Sequence, residues 1–254
     1  MSSYFWRNPL QQQILLGLLR GEYRPGKTCH ILDVGCSSGE MLLTYAMLLA
    51  DEYGDEWADR FAIVAIDHDA AKLEQFRRGI WEENRLYQMP PRYRDRYVRE
   101  FDLPAGSGAR ARWAMFKSCH LINQITICEQ DFDAYPAGGP ESWDVILCQN
   151  TLLHLPPETA RAWVDRIALM LRPDGLFVCA GHHGERADNP AAIEQLRRWF
   201  EPVPHNVVGV YESWLQRKHA ASAAIQLADY DPADPDLAYR IGSIFRRRTK
   251  SEEA

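Results

Sequence analysis

Residues 31–40, Ile-Leu-Asp-Val-Gly-Cys-Ser-Ser-Gly-Glu, constrain this chain more than any other stretch. A short apolar run, Ile31 to Val34, leads directly into Gly35 and Gly39. After Glu40 the apolar residues fall at helical spacing: Met41, Leu42, Leu43, Tyr45, Ala46, Leu48 and Leu49. The pattern predicts a buried strand, a tight glycine turn, and a helix packed by one face. Glycine lets backbone turn sharply and approach a ligand with no Cβ in the way. Such a turn leaves free N–H groups at a helix start, beside the carboxyl end of a strand. Small ligands of open α/β sheets sit there.

Alone, the turn is weak evidence. Gly35-x-x-x-Gly39 is not the dinucleotide fingerprint, and it lacks the Lys-Ser/Thr of a P-loop. Three later strand ends strengthen it. Phe61 to Ile66 is apolar and ends in Asp67-His68-Asp69, where an acid is placed to accept from both hydroxyls of a ribose. Ile125 to Cys128 runs into Glu129-Gln130-Asp131-Phe132. Trp143 to Cys148 runs into Gln149-Asn150-Thr151. Polar groups at four successive strand ends describe one nucleoside pocket. The same turn also fits Gly-x-Ser-x-Gly, with Ser37 as a nucleophile, but a hydrolase needs an acid and a histidine in later loops. Asp67 favours the nucleoside. His182 and His183 near Cys179 match no standard zinc spacing, so no metal is expected.

These residues resemble the class I S-adenosylmethionine (SAM) methyltransferases, and in detail the CheR-type subfamily, which methylates glutamates of chemotaxis receptors. Phe5-Trp6-Arg7 resembles that family's Phe-Phe-Arg. Gly35-Cys-Ser-Ser-Gly-Glu40 resembles Gly-Cys-Ser-Thr-Gly-Glu, and Ala65-Ile-Asp67-His-Asp69 resembles Ala-Thr-Asp-Ile-Asp. Arg78-Gly-Ile80 resembles the Gly-Ile-Tyr after the second helix, and Cys148-Gln-Asn150 resembles Cys-Arg-Asn. Leu171-Arg-Pro-Asp-Gly175 and Gly181-His182 resemble Leu-x-Pro-x-Gly and Gly-His-Ser. The resemblance covers roughly residues 4–212. It implies an α/β, Rossmann-like sheet of seven strands, the last one antiparallel, with a small inserted subdomain. It implies SAM as cofactor and S-adenosylhomocysteine (SAH) as product. Gly35, Cys36, Ser37, Gly39, Glu40, Asp67, His68, Asp131, Phe132, Asn150 and Thr151 are the candidate cofactor residues. Asp67 would take the ribose, and Asp131 with Phe132 the adenine. Asn150 would meet the methionyl backbone. Glu40 would meet the amino group, or else favour the helix start through the dipole.

Arg7 and His154 are the candidate residues beside the methyl acceptor. Arg7 is a fixed cation with a planar fork suited to a carboxylate. His154 stands where the family has a tyrosine, and a histidine titrating near neutrality could take a proton from a hydroxyl or amine. Gln149 stands where the family has arginine. Only four residues precede Phe5, where the family carries a helical domain used in receptor recognition. On these departures a small-molecule acceptor is the first reading. A protein glutamate carboxylate is the alternative, and a SAM-sensing domain without turnover the third.

The 254 residues suffice for one large α/β domain, with residues 1–30 as an N-terminal motif and helix. The SAM-binding domain is expected over 31–212, with the insert at about 81–124. Helices are expected at 157–172 and 190–201, and strands at 176–180 and 206–211. Residues 213–254 read as a C-terminal extension whose basic end, Arg246-Arg-Arg-Thr-Lys250, is a solvated tail. A net charge of −6 argues against nucleic acid as partner. No apolar run reaches the length of a membrane span and no signal peptide is evident, so a cytoplasmic protein with no membrane partner is expected. Six cysteines without a framework spacing suggest reduced thiols, four of them in or beside strands.

Overall fold

The computed structural model describes residues 4–22, 26–104, 110–136, 141–180, 190–203, 238–239 and 244–249. In chain order the elements begin with α1 (Pro9–Glu22), β1 (Cys29–Val34), α2 (Glu40–Tyr53), α3 (Trp57–Arg60), β2 (Phe61–Asp67) and α4 (Ala70–Arg78). Next come β3 (Ile80–Glu82), α5 (Pro91–Tyr97), β4 (Val98–Pro104), β5 (Arg110–Phe116), α6 (His120–Asn123) and β6 (Ile125–Glu129). The last are β7 (Trp143–Gln149), α7 (Pro157–Met170), β8 (Leu171–Ala180), α8 (Pro190–Trp199), β9 (Phe200–Pro202) and β10 (Ile244–Arg247).

Seven strands form one sheet in the order β6-β2-β1-β7-β8-β10-β9. β6, β2, β1, β7 and β8 are parallel, and β10 runs antiparallel to both β8 and β9. A seven-stranded α/β sheet forms, as expected from the sequence, but β9 stands where the end of the helix at 190–201 was expected. Strand order reverses at β1, since β2 lies on one side of it and β7 on the other. Ligands of open α/β sheets bind at such a point, outside the carboxyl ends of the strands.

The central strands are apolar on both faces, as helix-covered parallel strands must be. Alternate residues feed two cores. Ile31, Ile63, Val145 and Val178 pack with Leu15, Leu42 and Phe76 on the face covered by α1, α2 and α4. Leu32, Ile66, Ile146 and Phe177 pack with Val164, Ile167 and Leu196 beneath α7 and α8.

Residues 80–116 contribute a second sheet, three antiparallel strands in the order β3-β5-β4. The first segment of the chain is pinned between this sheet and α2. Phe5 meets Trp81 edge-on at 5.1 Å and Phe116 at 6.0 Å, and Trp6 packs on Tyr93 at 4.5 Å. Phe5 N donates to Arg85 O at 3.0 Å, and Trp6 N to Thr44 Oγ1 at 3.2 Å. Trp6 takes a left-handed φ of 57°, an outlier for so bulky a residue. That backbone turn carries the chain from the aromatic cluster to Arg7.

Two expectations change at the C-terminal side. The breaker Arg172-Pro-Asp-Gly175 lies inside β8, where Asp174 has φ 62° and the pairing with β7 shifts register. The basic end is not a solvated tail over its described part. Ile244 and Phe245 are fully buried, and their strand inserts between β8 and β9. Arg247 is buried and donates to Leu171 O, and Arg246 Nη1 donates to Asp174 O at 2.8 Å. Two apolar residues ahead of a basic run are too short a signal to mark a strand, yet they fill the gap between two partners. The expected strand at 206–211 lies outside the described residues. Among the described residues no helix is long and apolar enough to cross a membrane.

Phe245 packs with Phe177, Phe200 and Tyr239. Phe245→Ala is expected to cost about 3–5 kcal/mol, through lost burial and the cavity left behind. Urea unfolding followed by circular dichroism measures it, and an unchanged midpoint would place β10 outside the sheet.

Candidate active site

The turn after β1 is locked to the end of β2 by backbone hydrogen bonds. Gly35 N and Cys36 N both donate to Ile66 O, at 2.9 and 3.1 Å. Ser37 then adopts a left-handed φ of 52°, which aims its N–H at Asp67 Oδ2, 2.8 Å away. Asp67 Oδ1 takes the N–H of Asp69 at 2.9 Å. Asp69 Oδ1 in turn caps α4 by accepting from Lys72 N at 3.1 Å. Each Asp67 oxygen thus has one backbone donor and keeps a lone pair for a ligand hydroxyl.

Around this point lies a cavity of about 490 Å³. Asp33, Gly35, Cys36 and Ser37 line it from β1 and its turn, and Asp67 and His68 from the end of β2. The end of β6 contributes Asp131, Phe132 and Asp133. Asn150, Thr151 and His154 enter from beyond β7, and Arg7 and Met41 from the near wall. The four strand ends singled out in the sequence meet in one space, and so do Arg7 and His154.

Gly39 and Glu40 do not line the cavity. A Cβ on Gly39 would stand 2.5 Å from the Phe76 ring, so this glycine permits α2 to pack on α4. Glu40 is fully buried, and its carboxylate accepts from Ser38 Oγ at 2.9 Å. Gly35 faces the ligand side: a Cβ there would stand 2.6 Å from Thr151 Oγ1.

At the β6 end, Phe132 is buried and meets Trp163 edge-on at 4.7 Å. Trp163 Nε1 donates to Asp133 Oδ1 at 2.8 Å, and Asp133 N to Asp131 Oδ1 at 3.0 Å. An aromatic wall under a polar rim suits a flat heterocycle with an amino group. At the β7 end, Asn150 has a left-handed φ of 58°, and its Oδ1 is buried without a partner among the described residues. His154 is exposed in the short 3-10 turn Leu152–His154, with its N–H on Thr151 O at 3.0 Å.

Arg7 is buried, and its guanidinium lies over the Tyr4 ring at 5.2 Å. Burial pushes its pKa down, and its Nε has no hydrogen-bond partner among the described residues. No carboxylate among the described residues forms an ion pair with it.

Asp33 is the residue that the sequence reading missed. It is buried on the cavity wall, and burial, followed by the neighbouring charge of Asp67, raises its pKa to about 7. A charged residue within an apolar strand was the available signal. Gln149 was noted as a departure, but its support by α1 was not foreseen. Gln149 Nε2 donates to Gln11 Oε1 at 3.2 Å, and Gln11 Nε2 to Cys179 O at 3.0 Å. His182 and His183 lie outside the described residues. Among the described residues no group of three or more histidines, cysteines or acids forms a metal cluster.

The family model described as CheR methyltransferase, SAM binding domain, matches residues 2–199. Chemotaxis protein methyltransferase 2 of Pseudomonas aeruginosa is 28% identical over 178 residues, 70% of this chain and 61% of that protein. The chemotaxis protein methyltransferase of Escherichia coli is 29% identical over 162 residues, 64% of this chain and 52% of that protein. A probable biofilm formation methyltransferase, WspC of Pseudomonas aeruginosa, is 25% identical over 155 residues, 59% of this chain and 33% of its own length. The chain thus spans from a third to three-fifths of the length of these relatives.

Two measurements test the site. Asp67→Ala is expected to weaken SAM and SAH binding by about 1.5–3 kcal/mol, the worth of hydrogen bonds to a charged group. Wild-type affinity in calorimetry would remove Asp67 from the ribose role. Asp33 titrates upward on folding, so its protonated form favours the ligand-free fold at low pH. That advantage fades as pH rises from 3.8, its ordinary value, through about 7. Asp33→Asn should raise the melting temperature at pH about 8 and leave it nearly unchanged at pH about 3, where Asp33 is protonated in both states. An equal shift at both values would show that the ionised carboxyl carries no burial cost.

Proposed function

Because the chain belongs to the CheR methyltransferase family, we propose that it transfers a methyl group from SAM to a side-chain carboxylate of a partner protein, giving a methyl ester. The small-molecule acceptor put first by the sequence finds no support among the relatives, two of which are chemotaxis protein methyltransferases. Arg7 carries the proposal: a buried guanidinium on the cavity wall with no ion-pair partner among the described residues. A carboxylate is the natural occupant of such a fork.

The residues present fit the cofactor. The adenine is assigned to Phe132, Asp131 and Asp133. The ribose is assigned to Asp67, steadied by Ser37 N–H. The methionyl end falls to the β1–β7 side, where Asp33 and the unpartnered Asn150 Oδ1 stand. When bound, SAM supplies a methyl already activated on a sulfonium. The chain then has to hold the acceptor oxygen in line and keep water out. An ionised carboxylate has no proton to lose, so a base is unnecessary. Under this reading Arg7 orients the acceptor, and His154, at the exposed rim, borders it without moving a proton.

The test uses methyl-labelled SAM and the cytoplasmic domain of a bacterial chemotaxis receptor. Protein-bound label that leaves as methanol on base treatment is expected. Label that is stable to base, or that enters no protein, would overturn the carboxylate assignment. With that substrate Arg7→Ala should mainly raise the acceptor KM. His154→Phe should lower kcat by less than about 10-fold. A loss of about 10²–10⁴-fold, the size of general-base assistance, would point to a hydroxyl or amine acceptor instead.

A further inference from the structure

Trp81 lies outside the cavity and is fully buried, yet it reaches the cofactor turn. It is the middle residue of β3, paired with Ala114 of β5. Its indole Nε1 donates to Ser38 O at 3.0 Å, across 43 residues of chain. Ser38 follows the left-handed Ser37, whose N–H meets Asp67 at 2.8 Å. The Ser38 hydroxyl is turned the other way, toward Glu40. Residues 37 and 38 are therefore held by three side chains. Asp67 and Glu40 belong to the parallel sheet and its first helix, whereas Trp81 belongs to the small antiparallel sheet.

The ring itself cannot drift. Phe5 meets it at 5.1 Å with planes at 84°, and Phe116 at 5.4 Å with planes at 63°. Phe116 ends β5, and Phe5 lies two residues before Arg7. Gly79, with φ 63°, makes the turn from α4 into β3, and a Cβ there would come 2.8 Å from Ile122. The indole thus takes its position from the small sheet and the N-terminal segment, and passes it to the turn through one hydrogen bond. A buried indole N–H needs an acceptor in any fold. Here the acceptor is the carbonyl next to the strained residue that faces the ribose acid, where backbone conformation decides ligand geometry.

We propose that Trp81 is a positioning residue for the cofactor: its indole N–H holds the Ser38 carbonyl so that the Ser37 N–H and the Asp67 carboxylate keep the arrangement that receives the ribose. A shift of the small sheet therefore changes cofactor affinity through Trp81. The proposal rests on the cavity being the SAM site, and wild-type binding of SAH in calorimetry checks that separately. If wild-type protein does not bind SAH, the cofactor reading fails along with it.

Trp81→Phe keeps a ring against Phe5 and Phe116 and removes only the donor. SAH affinity is expected to fall about 5- to 10-fold, the worth of one hydrogen bond. In the Asp67→Ala background the same substitution should have almost no further effect, since the bond acts through that carboxylate. Wild-type affinity in Trp81→Phe, or an equal loss in both backgrounds, overturns the proposal and leaves Trp81 a packing residue. A second measurement needs no variant. In the NMR spectrum of the wild-type protein the Trp81 indole N–H, assigned by its contacts to Phe5 and Phe116, should shift and exchange more slowly when SAH is added. An unchanged resonance with unchanged exchange also overturns it.

Discussion

Everything at this site hangs on the joint between the first two parallel strands. Ile66 O accepts two successive N–H groups from the turn after β1, and Asp67 accepts a third. A strand end usually leaves such groups to water. Here they tie one loop to its neighbour, and the loop conformation follows. Ser37 is forced into the left-handed region, and Gly35 is needed because Thr151 leaves no room for a side chain. Asn150, at the facing strand end, is left-handed as well. Positive φ at two non-glycine residues around one cavity is backbone strain kept where a ligand is met, and the rigid sheet beneath holds it.

The electrostatics have the same origin. Bringing the ends of β1 and β2 together sets Asp33 close enough to Asp67 to feel its charge, with Asp33 the more deeply buried. Burial disfavours the ionised form of Asp33 first, and the neighbouring charge of Asp67 adds to it. The thiol of Cys36 is pushed up for the same reasons, by burial first and then by Asp33 and Asp67. That thiol is therefore a protonated wall group and no nucleophile. What remains is a cavity lined by Asp33 and Asp67 from the ends of β1 and β2 and by the buried guanidinium of Arg7.

Legibility in the sequence followed the length of the signal. Apolar runs of four to six residues ending in polar groups gave the strand ends correctly, because such runs need a sheet around them. Asp67, Asp131 and Asn150 could be found because each stands just past a run. Asp33 could not, since it stands inside one and reads as an interruption. Gly39 and Glu40 were placed with the ligand because the turn reads symmetrically, glycine to glycine. Packing breaks that symmetry: the first glycine faces Thr151 at the cavity and the second faces Phe76 in the core. β10 was hidden for a different reason. A four-residue strand that pairs with partners far earlier in the chain leaves almost no local pattern, and its arginines suggested solvent.

The wall beyond β7 shows how tertiary context fixes chemistry that composition leaves open. An amide side chain can present either its oxygen or its nitrogen, and Gln149 alone offers no way to choose. The choice is made at β8. Cys179 O can only accept, so Gln11 must give it an N–H and turn its own oxygen toward Gln149. Gln149 then has to spend an N–H on Gln11, and its Oε1 is buried with no partner among the described residues. Helix α1 thereby dictates the polarity of a side chain 138 residues away. Where the family resemblance has an arginine, this chain has an amide held in one orientation. Among the described residues that line the cavity, Arg7 is the one arginine or lysine, and it is supplied by the segment that the small sheet holds in place.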